Sequence, residues 1–301
     1  MDQNVWGKKL LLNSINNKLT REWIMSGMSK SALRTGFKVG PFFLDAGHSN
    51  FNSWNLLLIT HGHADHIFSL PSFFLTDNVE NSHVITPEVY KIRRYIESFM
   101  SCNGSIMPNA TFTESTHMNS IELANGRERY KVTSFKLNHG VVPTYGYGID
   151  SIVKKLNPVL LKMKEKFSAK DFGKIMSDLK RGLKSEHLDL EETPVDVDVI
   201  KPQICYITDT SIVGVSGNFD FIKKYLIIII ECTFFHTDEI LHAQNKKHIH
   251  WTQLHSYIKD NPESHWILIH SSTRYKDLND IRVGINSNKQ NTVPSNCSFW
   301  I

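Results

Sequence analysis

The chain has 301 residues, of which 41% are apolar and 21% charged, with a net charge of +4. These proportions are those of an ordinary globular protein and argue against a disordered or fibrous one. No apolar run approaches the roughly 20 residues that span a bilayer, which argues against a membrane protein, and the small positive charge is compatible with a nucleic-acid partner without demonstrating one.

Lys8 and Lys9 lead into three leucines, but the chain soon turns polar, so no secretory signal is expected. Strands are predicted over residues 37–39, 42–44, 56–59, 83–85, 130–137 and 145–149. A helix is predicted over 88–99, where Val89, Ile92, Ile96 and Phe99 recur at helical spacing after Pro87. The second half repeats the arrangement, with strands over 204–207, 226–230 and 266–269 and an amphipathic helix over 250–259. Two strand-rich halves with helices outside predict an α/β fold, a four-layer αββα sandwich forming a single domain over 1–301. Four scattered cysteines (Cys102, Cys205, Cys232, Cys297) lack metal-type spacing and suggest reduced thiols of an intracellular protein, cytoplasmic or nuclear.

Between the halves, 154–184 is rich in lysine. Asn157-Pro158 can open a helix carrying Leu160, Leu161 and Phe167. Ser168-Ala169-Lys170-Asp171 resembles a capping box ahead of Phe172, Ile175, Met176 and Leu179, with Gly182 as a stop. Lys162, Lys166, Lys170 and Lys174 belong to this pair of helices, and an acidic run follows over 186–198. Residues 154–198 therefore read as an inserted basic arm with an acidic linker. Its lysines are either a solvated face or a surface for a phosphate backbone.

Chemistry concentrates in Thr60-His61-Gly62-His63-Ala64-Asp65-His66, directly after the apolar run 54–59. His61 and His63, two apart in an extended loop, point to one side and can hold one metal, while Asp65 and His66 turn toward a second. Nitrogen and carboxylate donors of this kind suit zinc. A two-metal site needs about three ligands per ion and a bridging group. His139, Asp209 and His270 each follow an apolar strand and are candidates to complete it. Ser271 and Ser272 do not read as nucleophiles, because no histidine–carboxylate relay is free to activate them.

This pattern, His-x-His-x-Asp-His and then His139, Asp209 and His270 in order, resembles the metallo-β-lactamase superfamily. Its details resemble tRNase Z, the tRNA 3′-processing endoribonuclease, nearest the short plant-type form. The carriers are His139-Gly140-Val141-Val142-Pro143-Thr144-Tyr145-Gly146-Tyr147, Glu231-Cys232-Thr233-Phe234, Ala243 followed by His248-Ile249-His250, and His270-Ser271-Ser272-Thr273-Arg274-Tyr275. Family members often place phenylalanine where this chain has Ser271. The resemblance implies His61, His63 and His139 on one zinc ion, Asp65, His66 and His270 on a second, and Asp209 bridging. Other divalent ions such as manganese are alternatives to zinc. It implies cleavage of the 3′ trailer from precursor tRNA, leaving a 3′-hydroxyl on the tRNA and a 5′-phosphate on the trailer. Asp65 would accept the proton of the attacking water, and His248, oriented by Glu231, would protonate the leaving oxygen. His250 is the alternative acid, Asp45 a buttress of the metal loop, and Arg274 either a phosphate contact or half of an ion pair. The resemblance also implies an arm that grips tRNA away from the active site, and a homodimer. The rival expectation is a hydrolase of the same scaffold acting on a small phosphodiester, thioester or β-lactam.

Overall fold

The computed structural model describes residues 9–48, 54–75, 79, 82–181, 195–289 and 292–301. Two seven-stranded sheets carry the fold. The first runs in chain order: β1 (Lys9–Leu11), β2 (Ile24–Lys30), β3 (Arg34–Val39), β4 (Phe42–Leu44), β5 (Leu56–Leu58), β6 (His83–Thr86) and β7 (Thr111–Glu114). The second contains β8 (Asn119–Asn125), β9 (Glu128–Lys136), β10 (Tyr145–Leu156), β11 (Asp196–Ile207), β12 (Ile227–Glu231), β13 (His265–Ile269) and β14 (Cys297–Phe299), also in order. In each sheet the first four strands pair antiparallel and the last four parallel.

Strand alternation explains why four layers form. In β12, Ile227 and Ile229 face the other sheet, while Ile228 and Ile230 face an outer helical layer. Ile267 and Ile269 of β13 point inward and Trp266 and Leu268 outward; Leu56 and Leu58 of β5 do the same against Leu57. A strand covered on both faces needs apolar residues throughout, which is why these segments read as unbroken runs. The helices Trp251–Lys259 and Leu278–Asn286 bury Trp251, Leu254, Ile258, Ile281 and Ile285 on the second sheet. On the first sheet the helix Val89–Cys102 buries Ile92, Ile96 and Met100. That helix runs past the predicted end at residue 99, and Met100 takes the core position expected for Phe99, which is 42% exposed.

The lysine-rich segment forms two helices, Pro158–Lys164 and Ala169–Lys180. The Asn157 side chain accepts from the Val159 amide and Ser168 Oγ from the Asp171 amide, so both anticipated caps are present. Leu160, Met163 and Ile175 are buried, whereas Lys162, Lys166, Lys170 and Lys174 are all exposed. The helices stand on the paired ends of β10 and β11, whose register runs out to Leu156 opposite Asp196. Residues 196–198 of the acidic run are therefore strand; Gly182, Lys184 and the rest of that run up to residue 194 lie outside the described residues. From Asp196 to Ile207 the strand covers roughly 36 Å at ~3.3 Å per residue, so the arm emerges far from the end of β11 that leads to Asp209.

Candidate metal centre

The parallel strands deliver their polar residues to one edge of the sandwich, the C-terminal edge where open α/β sheets form their sites. Asp45 follows β4, His61 and His63 follow β5, Asp209 follows β11, and His270 follows β13, with Glu231 as the last residue of β12. His139 follows β9. Asp45, Asp209 and His270 take left-handed backbone conformations, with φ of 59°, 38° and 61°. For non-glycine residues this costs of order 1–3 kcal/mol each and is tolerated where the surroundings over-determine the backbone.

The seven sequence-predicted ligands converge as two groups that share one residue, His61, His63, His139 and Asp209, and Asp65, His66, Asp209 and His270, with donor atoms in each group within 4.8 Å. In the first group His61 Nε2 lies 3.0 Å from His63 Nδ1, and His139 Nε2 lies 3.3 Å from that same atom. Asp209 Oδ2 is 3.7 Å from His61 and 3.5 Å from His139. In the second group Asp209 Oδ1 is 3.2 Å from His66 Nε2 and 3.1 Å from His270 Nε2. Asp65 Oδ2 is 3.6 Å from His66 and 3.7 Å from His270. Ligands at ~2.0–2.1 Å from a tetrahedral ion lie about 3.3 Å from one another, so each group has the spacing of a coordination shell. The two oxygens of Asp209 face one group each. Nε2 of both His66 and His270 is buried and, despite the nearby Asp209 carboxylate, makes no well-formed hydrogen bond among the described residues, as expected of nitrogens that could hold an ion.

Hydrogen bonds hold the rings in these orientations. Asp45, fully buried, accepts from the Thr60 amide (2.8 Å), the Thr60 hydroxyl (3.0 Å) and the Tyr206 hydroxyl (2.8 Å), and pairs with His66 Nδ1 at 3.0 Å. Thr60 Oγ1 also meets His61 Nδ1 at 3.1 Å, Thr208 donates to Asp209 Oδ1 at 2.8 Å, and Thr233 meets His270 Nδ1 at 3.2 Å. Such partners fix ring orientation and raise the basicity of a ligand nitrogen. The sequence assigns no role to Thr60, Thr208, Thr233 or Tyr206, although Thr60 opens the histidine run, Thr208 precedes Asp209 and Thr233 belongs to the Glu231–Phe234 segment.

Crowding of like groups shapes the electrostatics. Burial pushes the His61 imidazole well below its ordinary range, and the neighbouring His66 adds to this, so His61 is neutral as a metal ligand must be. For His66 burial acts the same way, but the Asp209 and Asp45 carboxylates outweigh it and hold the ring well above its ordinary range. Burial alone would raise Asp209, yet His270 and His66 draw it well below the usual carboxylate range.

A third group adjoins the second, formed by Glu231, His248 and His270. His248 Nδ1 meets Glu231 Oε1 at 2.9 Å, leaving the other ring nitrogen outside that pair. Burial lowers the His248 pKa, but the Glu231 charge outweighs it and lifts the ring to about 9. His250, the alternative acid, is committed elsewhere. Its Nδ1 meets Thr252 at 2.9 Å and its Nε2 meets the His236 carbonyl at 2.8 Å, so it caps the helix Trp251–Lys259. Arg274 forms an ion pair with Glu239 at 3.1 Å, the structural alternative of its two expected roles. Lys162, Lys166, Lys170 and Lys174 belong to the arm, remote from these groups.

Two packed mixed sheets between helical layers, with a cluster of candidate metal ligands at one edge, are the architecture of the metallo-β-lactamase fold. The chain matches the structure of the metallo-β-lactamase fold protein YhfI from Bacillus subtilis with a TM-score of 0.51 and 12% identity, over 90% of this chain and 93% of that one. It matches human tRNase Z, short form, with a TM-score of 0.52 and 15% identity, over 83% and 92% of the respective chains. In sequence it is similar to tRNase Z TRZ1 from Arabidopsis thaliana, 24% identical over 236 residues that cover 76% of this chain and 77% of that protein. No family model matches. Among the described residues no helix is long and apolar enough to cross a membrane.

Proposed function

We propose that the chain is a metal-dependent endoribonuclease that cuts the 3′ trailer from precursor tRNA, leaving a 3′-hydroxyl on the tRNA and a 5′-phosphate on the trailer. One observation carries this most directly: two coordination-like groups share Asp209, and the His248–Glu231 pair stands against the second of them. The similarity to tRNase Z supports the choice of RNA substrate.

His61, His63 and His139 would hold one ion, Asp65, His66 and His270 the other, and Asp209 both. Two zinc ions there would supply an activated hydroxide and neutralise the charge of the phosphoryl oxygens. Asp65 accepts the proton of the attacking water; the Ala32 amide donates to its Oδ2 at 3.1 Å and fixes its direction. A 3′-hydroxyl product requires that the tRNA 3′-oxygen leaves, and His248 supplies its proton. Glu231 keeps His248 charged and turned toward that oxygen. The lysines of the arm bind the tRNA backbone away from the cut, and the protein works as an intracellular homodimer.

The test compares kcat/KM for a 3′-extended precursor tRNA with that for bis(p-nitrophenyl) phosphate, a thioester and a β-lactam. A preference of several orders of magnitude for the precursor is expected. Efficient turnover of one small molecule, with the precursor left intact, would favour a small-molecule hydrolase on this scaffold instead.

A further inference from the structure

Two apolar side chains on the segments next to Asp65 are left in solvent. Phe68 is 64% exposed and Leu33 is 55% exposed. Phe68 continues the helix Ala64–Ile67 with helical backbone angles, so it stands three residues from Asp65 on the same face. Its neighbours turn inward: His66 and Leu70 are fully buried, and Ile67 packs against the helical layer. The Phe68 backbone is held at both ends, its amide donating to the Ala64 carbonyl at 2.8 Å and its carbonyl accepting from the Tyr95 hydroxyl at 3.2 Å. Leu33 lies on the β2–β3 turn, next to Ala32. There Ala32, in a left-handed conformation with φ of 57°, donates its amide to Asp65 at 3.1 Å. A single exposed apolar residue needs no explanation. Two of them, on backbone segments tied by hydrogen bonds next to the Asp65 carboxylate, are an arranged surface.

We propose that Phe68 and Leu33 form the seat of the first base of the trailer. This rests on the functional reading above. A ribonuclease must place the nucleotides beside the scissile phosphate, and an exposed aromatic face takes any base, because every base has a π-face to stack. His248, which in that reading faces the leaving oxygen of the tRNA, neighbours His139 and His270, with ring centroids 5.0 and 5.5 Å away, whereas Asp65 groups with His66, Asp209 and His270. The Asp65 flank is therefore left to the nucleotide on the trailer side. Seating that base there orients the phosphate without demanding a trailer sequence, so the contact gives positioning rather than base selection.

The experiment uses precursor tRNAs that carry an abasic residue at the first trailer position, or at the last position of the tRNA body, beside the intact precursor. Phe68→Ala should lower kcat/KM for the intact precursor by roughly 5- to 150-fold, the range of one base–aromatic stack, with metal content and melting temperature unchanged. Phe68→Trp should restore it, and Leu33→Ser should show a smaller loss. On the substrate with an abasic first trailer residue, wild type should fall by a similar factor and Phe68→Ala should fall no further. Full activity of Phe68→Ala on the intact precursor would overturn the proposal. So would a penalty that persists on that abasic substrate and vanishes on the other. Failure of the wild-type chain to cut any precursor is a separate result: it refutes the functional reading, and the trailer seat with it.

Discussion

Replacement of Glu231 by glutamine tests the acid assigned to the leaving group with little change of shape. Glu231 is fully buried and carries the charge that outweighs burial at His248, where the ring lies at about 9. Glu231→Gln keeps the volume and removes the charge, so burial acts unopposed by that partner and the ring falls to or below its ordinary ~6.5. A raised histidine pKa means that the protonated form persists at higher pH, and its loss means that the acid vanishes earlier as pH rises. At pH ~8 a ring with a pKa of ~9 is roughly 90% protonated and one of ~6.5 about 3%, so general-acid catalysis should fall about 30-fold and recover toward acid pH. Bound cations near His270 shift both values down and preserve their order. The amide also leaves one donor among the Thr210 amide, the Thr233 hydroxyl and the Ile249 amide poorly matched, at a stability cost of about 1–3 kcal/mol, which a melting curve separates from the kinetic effect. The assay is single-turnover cleavage of a 3′-extended precursor tRNA across pH, with His248 titrated by NMR in chelator-treated protein. An alkaline limb that stays in place in Glu231→Gln, while the NMR titration moves, would refute the role of His248 as acid.

His63→Ala removes the Nδ1 that lies between His61 and His139, so metal content should drop from about two ions per chain and hydrolysis should vanish together; full activity of metal-free protein would contradict this. His248→Ala should keep its metal, because His248 belongs to neither of the two groups that share Asp209, and should slow cleavage by roughly 10²–10⁴; loss of metal to the extent seen in His63→Ala would make it a ligand. Replacing Lys162, Lys166, Lys170 and Lys174 together by alanine should raise KM for the precursor and flatten its salt dependence, since fewer counterions are released. Hydrolysis of bis(p-nitrophenyl) phosphate, too small to span the roughly 36 Å of β11 at ~3.3 Å per residue, should change little.

The interior of the fold was legible because strands such as β5, β12 and β13 are covered on both faces and carry continuous apolar runs. The edges were not. β8 (Asn119–Asn125) has one buried residue, and the outer half of β11 alternates exposed and half-buried positions through Asp196 and Asp198. Their strand character comes from pairing with β9 and β10, which no local periodicity records. β2 and β14 are likewise set by their neighbours, β2 carrying Gly27 at φ 134° where a side chain would strike the backbone of Gly36. The residues that converge as candidate metal ligands could be picked out because histidines and aspartates after apolar strands have few other uses. The hydroxyls that aim them were not, since Thr60, Thr208 and Thr233 resemble any other threonine until Asp45, Asp209 and His270 are placed beside them. The ion pair of Arg274 was undecidable for the same reason: Glu239 lies 35 residues earlier in the chain.

The most direct measurement is the position and chemistry of the cut. A 3′-extended precursor tRNA, labelled at each end in turn and incubated with zinc-loaded protein, should yield one cut at the junction of tRNA and trailer. The tRNA should end in a 3′-hydroxyl and the trailer begin with a 5′-phosphate, and a chelator should abolish the reaction. A cyclic or 3′-phosphate on the tRNA, cutting that survives complete removal of metal, or an intact precursor would contradict the account.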